Sequence, residues 1–350
     1  MSLPEVLPAA WALGPPPARA VLRAAPEDFI VEELPRVLPE GEGEHLWLQL
    51  RKRGRTTAEV TGALARHWGV GARDVGHAGL KDRDAVTTQW VSVHLPGREA
   101  GAPPGLEGVE WLAQQRHRRK LATGALRGNR FVLHLRAVEG DPAELDARLA
   151  RIAAEGVPNY FGPQRFGRRG DNLARAWRLL VDGRRERNRH LRGLLYSAAR
   201  SWCFNRVLSR RVANGSWKRL LPGELAALEG SRSVFAVEVP DEALEARLAA
   251  FDIHPSGPLP GRGAQGPTDA CAALESEVLA TLQPLMAGLA AARVDAARRA
   301  LRLRPGELAW TWEDDGRTLR LAFELPAGAY ATSVIRELVQ DDREGDRFIA

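Results

Sequence analysis

Between His77 and Trp90 the chain reads HAGLKDRDAVTTQW. Two acids, Asp82 and Asp84, lie in a short polar stretch after Gly79, followed by a run of hydroxyl and amide side chains. Such a bend can present a single carboxylate, Asp82, to a substrate. An ionised carboxylate in that position can attack an electrophilic carbon, or stabilise developing positive charge and take a proton. The same letters also describe an ordinary surface turn closed by Asp82 or Asp84, because Asp readily bonds its own backbone in turns.

A second constellation is basic. Arg116-His117-Arg118-Arg119-Lys120 is followed by Arg127 and Arg130, with Asn129 and Phe131 beside them. Closely spaced cations neutralise successive phosphates and release counterions. An adjacent ring and amide can stack on and read a base drawn out of its helix. The competing reading is a solvated Arg-rich edge strand with Phe131 in the core. Arg184-Arg185-Glu186-Arg187-Asn188-Arg189-His190 repeats the basic signal more weakly, since helix faces often look like this. In VPNYFGPQRFG (Val157–Gly167), Tyr160, Phe161 and Arg165 sit between Pro and Gly residues. They either meet nucleic acid or close a joint between domains. The joint is the better reading, with Arg165 directed to RNA. LPAGAYATSVIRE (Leu325–Glu337) reads as strand, tight turn and helix, with Thr332 or Ser333 as cap and Tyr330 at its mouth. An ordinary β-to-α connection has the same letters.

Composition limits the alternatives. Fifty Lys and Arg face 44 Asp and Glu, a net charge of +6, and the excess is clustered, which points to a polyanionic partner. Cys203 and Cys271 are the whole cysteine complement, so neither a disulfide framework nor a Cys-based zinc site is expected, and a reducing compartment fits. The N-terminal residues lack a basic start and an unbroken apolar run, which predicts no signal peptide. No run reaches the length of about eighteen apolar residues that a membrane span requires. Gly261-Arg262-Gly263-Ala264-Gln265-Gly266 spells a dinucleotide fingerprint but follows HPSGPLP rather than a buried strand, and is rejected. Walker loops, His-Glu-x-x-His and nucleophile elbows are absent from the sequence, so ordinary acids, bases and aromatics must carry any chemistry.

The elements that must position these residues can be read in outline. Residues 1–20 look extended. Phe29–Leu34 and His45–Gly54 alternate like strands, and Thr56 or Thr57 caps a helix through His67, with Glu59 in its first turn. Strands are predicted at Gln89–His94 and Phe131–Val138, with a helix from Asp141-Pro142 to about Ala154. At Gly156 the character changes. Helix is predicted over Asn172–Ala213, onward to about Ala250, and again over Thr268–Leu303 with an interruption near Pro284. Strands return at Glu307–Trp312 and Arg317–Leu325, followed by a helix over Ala331–Gln340. A sheet built from both ends of the chain, with a helical insertion, is the economical arrangement.

Five segments taken together, APEDFIVEEL (Ala25–Leu34), HAGLKDRDAVTTQW, GALRGNRFVLHLR (Gly124–Arg136), PNYFGPQRFG (Pro158–Gly167) and LPAGAYATSVIRE, resemble the TruD family of tRNA pseudouridine synthases, in register over nearly the whole chain. The resemblance implies an α+β fold. It has a pseudouridine-synthase-like mixed-sheet catalytic domain, 1–154 plus 305–350, and an inserted, mainly helical TruD domain, 155–304. It implies isomerisation of uridine 13 in the D arm of tRNA, with neither metal nor other cofactor, by a monomeric cytoplasmic enzyme that makes no membrane contact; the alternatives are a pseudouridine synthase acting on another RNA and a non-catalytic RNA-binding protein. Carried over by motif, Asp82 is the catalytic aspartate, and Phe29, Asn129 and Tyr330 contact substrate. The family more often has Phe where this chain has Tyr330, a change that keeps the ring and adds a hydroxyl. Phe131 stands where related families place a Tyr against the target base. Arg23 corresponds to a basic residue suited to pair with Asp82.

Overall fold

The computed structural model describes residues 10–167, 170–263, 266–313 and 316–341. The start of the predicted extended N-terminus (1–9) and the Ala264-Gln265 part of the rejected glycine motif lie outside the described residues. The chain forms two compact units. One comprises Ala18–Pro142, Pro305–Gly328 and the residues from Gln340; the other comprises the residues up to Pro17, Ala143–Arg304 and Ala329–Val339.

The first unit opens with β1 (Ala18–Val21), β2 (Phe29–Pro35), β3 (His45–Lys52), α1 (Thr57–Trp68), β4 (Val75–His77), β5 (Val86–His94), β6 (Val109–His117) and β7 (Leu126–Glu139). The chain then builds the second unit from α2 (Pro142–Glu155), β8 (Val157–Pro158), α3 (Asp171–Leu180), α4 (Arg189–Ala213), β9 (Glu224–Leu228), β10 (Val234–Val237), α5 (Glu242–Ala249) and β11 (Ile253–His254). β12 (Ser256–Leu259), α6 (Asp269–Leu279), α7 (Gln283–Ala291), β13 (Ala297–Ala300) and β14 (Arg302–Leu303) complete that passage. β15 (Gly306–Glu313) and β16 (Thr318–Pro326) return to the first unit, and α8 (Thr332–Ile335) to the second.

In the first unit the strands run in the order β15-β16-β7-β2-β5-β3-β6, with β1 on β7 and β4 on β5. β2 and β5 are parallel, and the other pairs are antiparallel, so the sheet is mixed and the fold is α+β. β3 shows how sequence makes the core. Leu46, Leu48 and Leu50 pack on one face with Val60 and Leu64 of α1, while Trp47 on the other face joins Trp90. Helix α1 is set by a capping box: the Thr56 side chain accepts from Glu59 N, and the Glu59 carboxylate accepts from Thr56 N. It ends at Gly69, whose left-handed φ of +62° suits glycine.

The second unit is less helical than the sequence predicts. ELAAL (Glu224–Leu228) has helix-forming letters, yet it is too short to stand as a helix and is a strand between β10 and β11, with Ala226 fully buried. The predicted helix over Thr268–Leu303 stops at Ala291, because Ala297–Ala300 pairs with Ser256–Leu259 and Arg302-Leu303 with Val157-Pro158. The predicted helix over Asn172–Ala213 breaks between Leu180 and Arg189, where Asn188 accepts from His190 N and Leu191 N and starts α4 afresh. The predicted helix at Ala331–Gln340 is a single turn.

Candidate active site

Asp82 sits in the turn between β4 and β5 within the sheet unit. Its Oδ2 lies 2.8 Å from Arg23 Nη1 in an ion pair, and its Oδ1 accepts from Asp84 N at 3.3 Å. The aspartate side chain is 33% exposed, so the paired carboxylate remains open to a ligand. Arg23 adopts φ +52°, a conformation that costs a non-glycine residue about 1–2 kcal/mol. The next turn explains how it is held there. Asp28, buried, accepts from Ala25 N at 2.9 Å and from Arg136 Nε at 2.7 Å, which fixes the path from Arg23 to the start of β2.

The turn carrying Asp82 is tied down from several elements. Lys81 N donates to Thr57 Oγ1 at 2.9 Å, and Thr57 Oγ1 in turn donates to Gln89 Oε1 at 2.9 Å. Lys81 Nζ pairs with Glu33 Oε2 of β2 at 3.0 Å, and Glu33 Oε1 accepts from Trp90 N. Lys52 Nζ, at the end of β3, donates at 2.6 Å to the Asp82 carbonyl and at 2.6 Å to the Arg55 carbonyl. The sequence does not single out Glu33, Lys52 or Gln89, and offers Thr57 only as a possible helix cap. The signal was present for Lys52, because strand alternation places it on the face of Leu46, Leu48 and Leu50.

The aromatic residues gather on the same sheet. Phe29 and Phe131 are diagonal neighbours on β2 and β7, with centroids 6.1 Å apart and rings at 75°. The Arg23 guanidinium lies 3.9 Å above the Phe29 ring. Phe131 also stacks on Phe323 at 5.5 Å, so both the core reading of this ring and its neighbourhood to Phe29 hold. Asn129 precedes Phe131 by one strand period and faces the same way, opposite Glu33. Its Oδ1 is buried and, among the described residues, without a hydrogen-bond partner. Next to it, Gly128 must lack a side chain, since a Cβ would strike the Leu325 carbonyl. An orphaned acceptor beside an aromatic pair is suited to the N–H of a planar ligand.

Tyr330 belongs to the second unit. Its hydroxyl accepts from Arg165 Nη2 at 2.6 Å and Nε at 3.0 Å, and its ring lies 6.0 Å from Phe161. Arg165 also donates to Ser197 Oγ at 3.0 Å, so three protein contacts occupy the residue that the sequence directs to RNA. Tyr160, Phe161 and Phe166 are buried in the core of that unit rather than offered to bases. Neither Thr332 nor Ser333 caps α8; Ser333 Oγ donates instead to the Tyr160 carbonyl. Gly162 is required here, because a Cβ would press on Thr332 and Tyr330.

The basic run continues from the end of β6. Arg116 is drawn onto the Leu95 and Arg98 carbonyls, and His117 is buried. Arg118 pairs with Glu42 and lies 3.7 Å from Glu40, while Arg119 and Lys120 are exposed. Among the described residues no group of three or more His, Cys, Asp or Glu side chains is arranged to hold a metal, and no helix is long and apolar enough to cross a membrane.

A family model described as tRNA pseudouridine synthase D (TruD) matches residues 10–186 and 171–338. The chain is 51% identical over 330 residues to the tRNA pseudouridine synthase D of Nitrosococcus oceani, covering 93% of this chain and 92% of the relative. It is 50% identical over 347 residues to that of Xanthomonas axonopodis pv. citri, covering 94% and 93%. Among solved structures, a Methanosarcina mazei protein described as a tRNA pseudouridine synthase D shares the fold. The TM-score is 0.73 at 22% identity, over 97% of this chain and 98% of the other.

Proposed function

The chain belongs to the TruD family of tRNA pseudouridine synthases, and from that premise we propose that it converts uridine 13 in the D arm of tRNA to pseudouridine, with Asp82 as the catalytic carboxylate and no metal or other cofactor. The observation that carries this reading is the Arg23–Asp82 ion pair at 2.8 Å, with Arg23 lying on the face of Phe29. A guanidinium at that distance fixes the direction of the carboxylate.

The reaction is an isomerisation. The N1–C1′ bond of the uridine breaks, the free uracil turns over, a C5–C1′ bond forms, the C5 proton is given up, and N1, freed from the sugar, takes up a proton, so the product is an isomer of the substrate. Ionised Asp82 acts on the nucleoside as nucleophile, or as the base that takes a sugar proton, and both roles need it charged and aimed. The target must first leave its stack, at a cost of a few kcal/mol (about that for one base). Phe29 and Phe131 supply flat apolar surface for the detached base. The buried Asn129 acceptor suits the uracil N3–H. Tyr330, held by Arg165, is proposed as a further substrate contact. Exposed cations such as Arg119 and Lys120 would bind phosphates elsewhere on the tRNA and offset the extrusion.

In this reading residues 1–154 and 305–350 form the catalytic domain and 155–304 the inserted domain. The enzyme acts as a cytoplasmic monomer; its two free buried cysteines suit a reducing compartment. Asp82→Asn is expected to abolish turnover on an unmodified tRNA transcript while tRNA binding persists. Activity close to wild type would remove the assignment. Mapping pseudouridines in tRNA from cells with and without the protein tests the position: loss at any site other than 13 would redirect the substrate.

A further inference from the structure

Lys52 ends β3 on its inward face, after Leu46, Leu48 and Leu50, and its side chain is fully buried. Among the described residues its ammonium makes no carboxylate ion pair. It donates instead to two main-chain carbonyls, of Arg55 and Asp82, each at 2.6 Å. Removing an ammonium from water carries a desolvation penalty that a methionine of similar length would not. Burial accordingly pushes the amine down to about 8, with Asp82 and Glu59 opposing the shift and Lys81 reinforcing it. A methionine could not grip the Asp82 backbone from within the protein, nor set a cation near that carboxylate in addition to Arg23.

We propose that Lys52 is a positioning residue for the reaction: its buried ammonium fastens the Asp82 main chain to the β3–α1 connection at Arg55, so that the carboxylate meets the target nucleoside in one orientation. The inference rests on the reading of Asp82 as the catalytic group. The anchoring is chemically suited to the task. Arg23 and Asp84 N already hold the Asp82 carboxylate, and Lys52 adds a separate restraint on the main chain that carries it. Thr57 and Glu33 fix the neighbouring Lys81, and Lys52 holds the main-chain carbonyl of Asp82.

The test measures the single-turnover rate and the tRNA dissociation constant for the full-length wild type, Lys52→Met, Lys52→Arg and Asp82→Asn. Lys52→Met is expected to lower the rate about 100-fold, the effect of a displacement of roughly 1 Å in a catalytic group, with tRNA binding changed less than about twofold. Lys52→Arg restores charge and donors and should recover at least about a tenth of the wild-type rate. A Lys52→Met enzyme with wild-type rate overturns the proposal. So does a loss shared equally by rate and tRNA affinity, or a failure of Lys52→Arg to recover. If Lys52→Met does not fold, Lys52→Gln takes its place: a depressed rate with intact binding supports the proposal, and a wild-type rate overturns it. If Asp82→Asn is inactive while Lys52→Met is fully active, this inference alone fails. If Asp82→Asn is active, the catalytic reading fails first.

Discussion

Glu33 and Lys81 meet at 3.0 Å with their side chains 1% and 6% exposed, and this pair joins β2 to the residue preceding Asp82. Removing one partner leaves the other as an unpaired buried charge. Glu33→Ala is therefore expected to lower stability by about 3–5 kcal/mol, read from urea unfolding. A loss below about 1 kcal/mol would show that Lys81 finds water or another acceptor.

Asn129 should behave differently. Among the described residues its buried Oδ1 has no partner to lose, so Asn129→Ala should leave stability unchanged within about 0.5 kcal/mol, or raise it. If that oxygen accepts from the uracil, the rate falls by about tenfold or more while tRNA binding holds. A wild-type rate would take Asn129 out of the substrate contacts.

The Tyr330 hydroxyl accepts two hydrogen bonds from Arg165. Tyr330→Phe keeps the ring and removes the acceptor of Arg165 Nε and Nη2, leaving that side chain its bond to Ser197, so the expected result is a stability loss of about 1–2 kcal/mol. Thermal unfolding and rate are measured together. A rate loss with unchanged stability would place the hydroxyl in the chemistry instead.

For tRNA binding, Arg119 is a cleaner probe than Arg118, whose charge is already met by Glu42 and Glu40. Arg119→Glu should weaken binding and reduce the slope of log affinity against log salt by about 1 or more. An unchanged slope would exclude this surface.

The Lys52 amine predicts a pH dependence. Its value falls from 10.5 in the open chain to about 8 in the folded protein. Between those values the unfolded chain binds more protons than the folded one, so stability rises with pH. Below about 8 both forms are protonated and the folded protein bears the whole burial penalty. Wild type should therefore gain on Lys52→Met by on the order of 2 kcal/mol as pH rises from about 7.5 to about 10.5. A constant difference between the two unfolding free energies would show an unperturbed amine.

Much of the sheet unit was legible because its signals are local. The alternation of FIVEEL and HLWLQL and the Thr56–Glu59 capping box each name their element within a few residues. ELAAL and ARRA were not legible, because their strand identity comes from partners across the unit rather than from propensity. Arginine density misled in a similar way. Arg211 is fully buried against Glu224, Arg302 donates to the Leu248 carbonyl, and Arg165 serves Tyr330, so part of the basic excess that suggests RNA is internal scaffolding. In the candidate site, the types of Asp82, Phe29 and Asn129 could be read, but the anchoring by Lys52, Thr57 and Gln89 could not. Those contacts depend on which turn each side chain reaches once the sheet has formed.

The pairing of β7 with β16 has a consequence for how the chain is made. β7 is flanked by β2 and β16, and β16 lies some way downstream, after the whole second unit. At ribosomal speeds of about 5–20 residues per second, roughly 180 residues must be translated before that neighbour emerges, an interval on the order of 10–40 s. Throughout it, one side of β7, carrying Phe131 and Asn129, offers bare amides and carbonyls to any stray strand. The nascent chain thus has a window of vulnerability at the strand that carries two of the proposed substrate contacts, closed only when β16 leaves the exit tunnel.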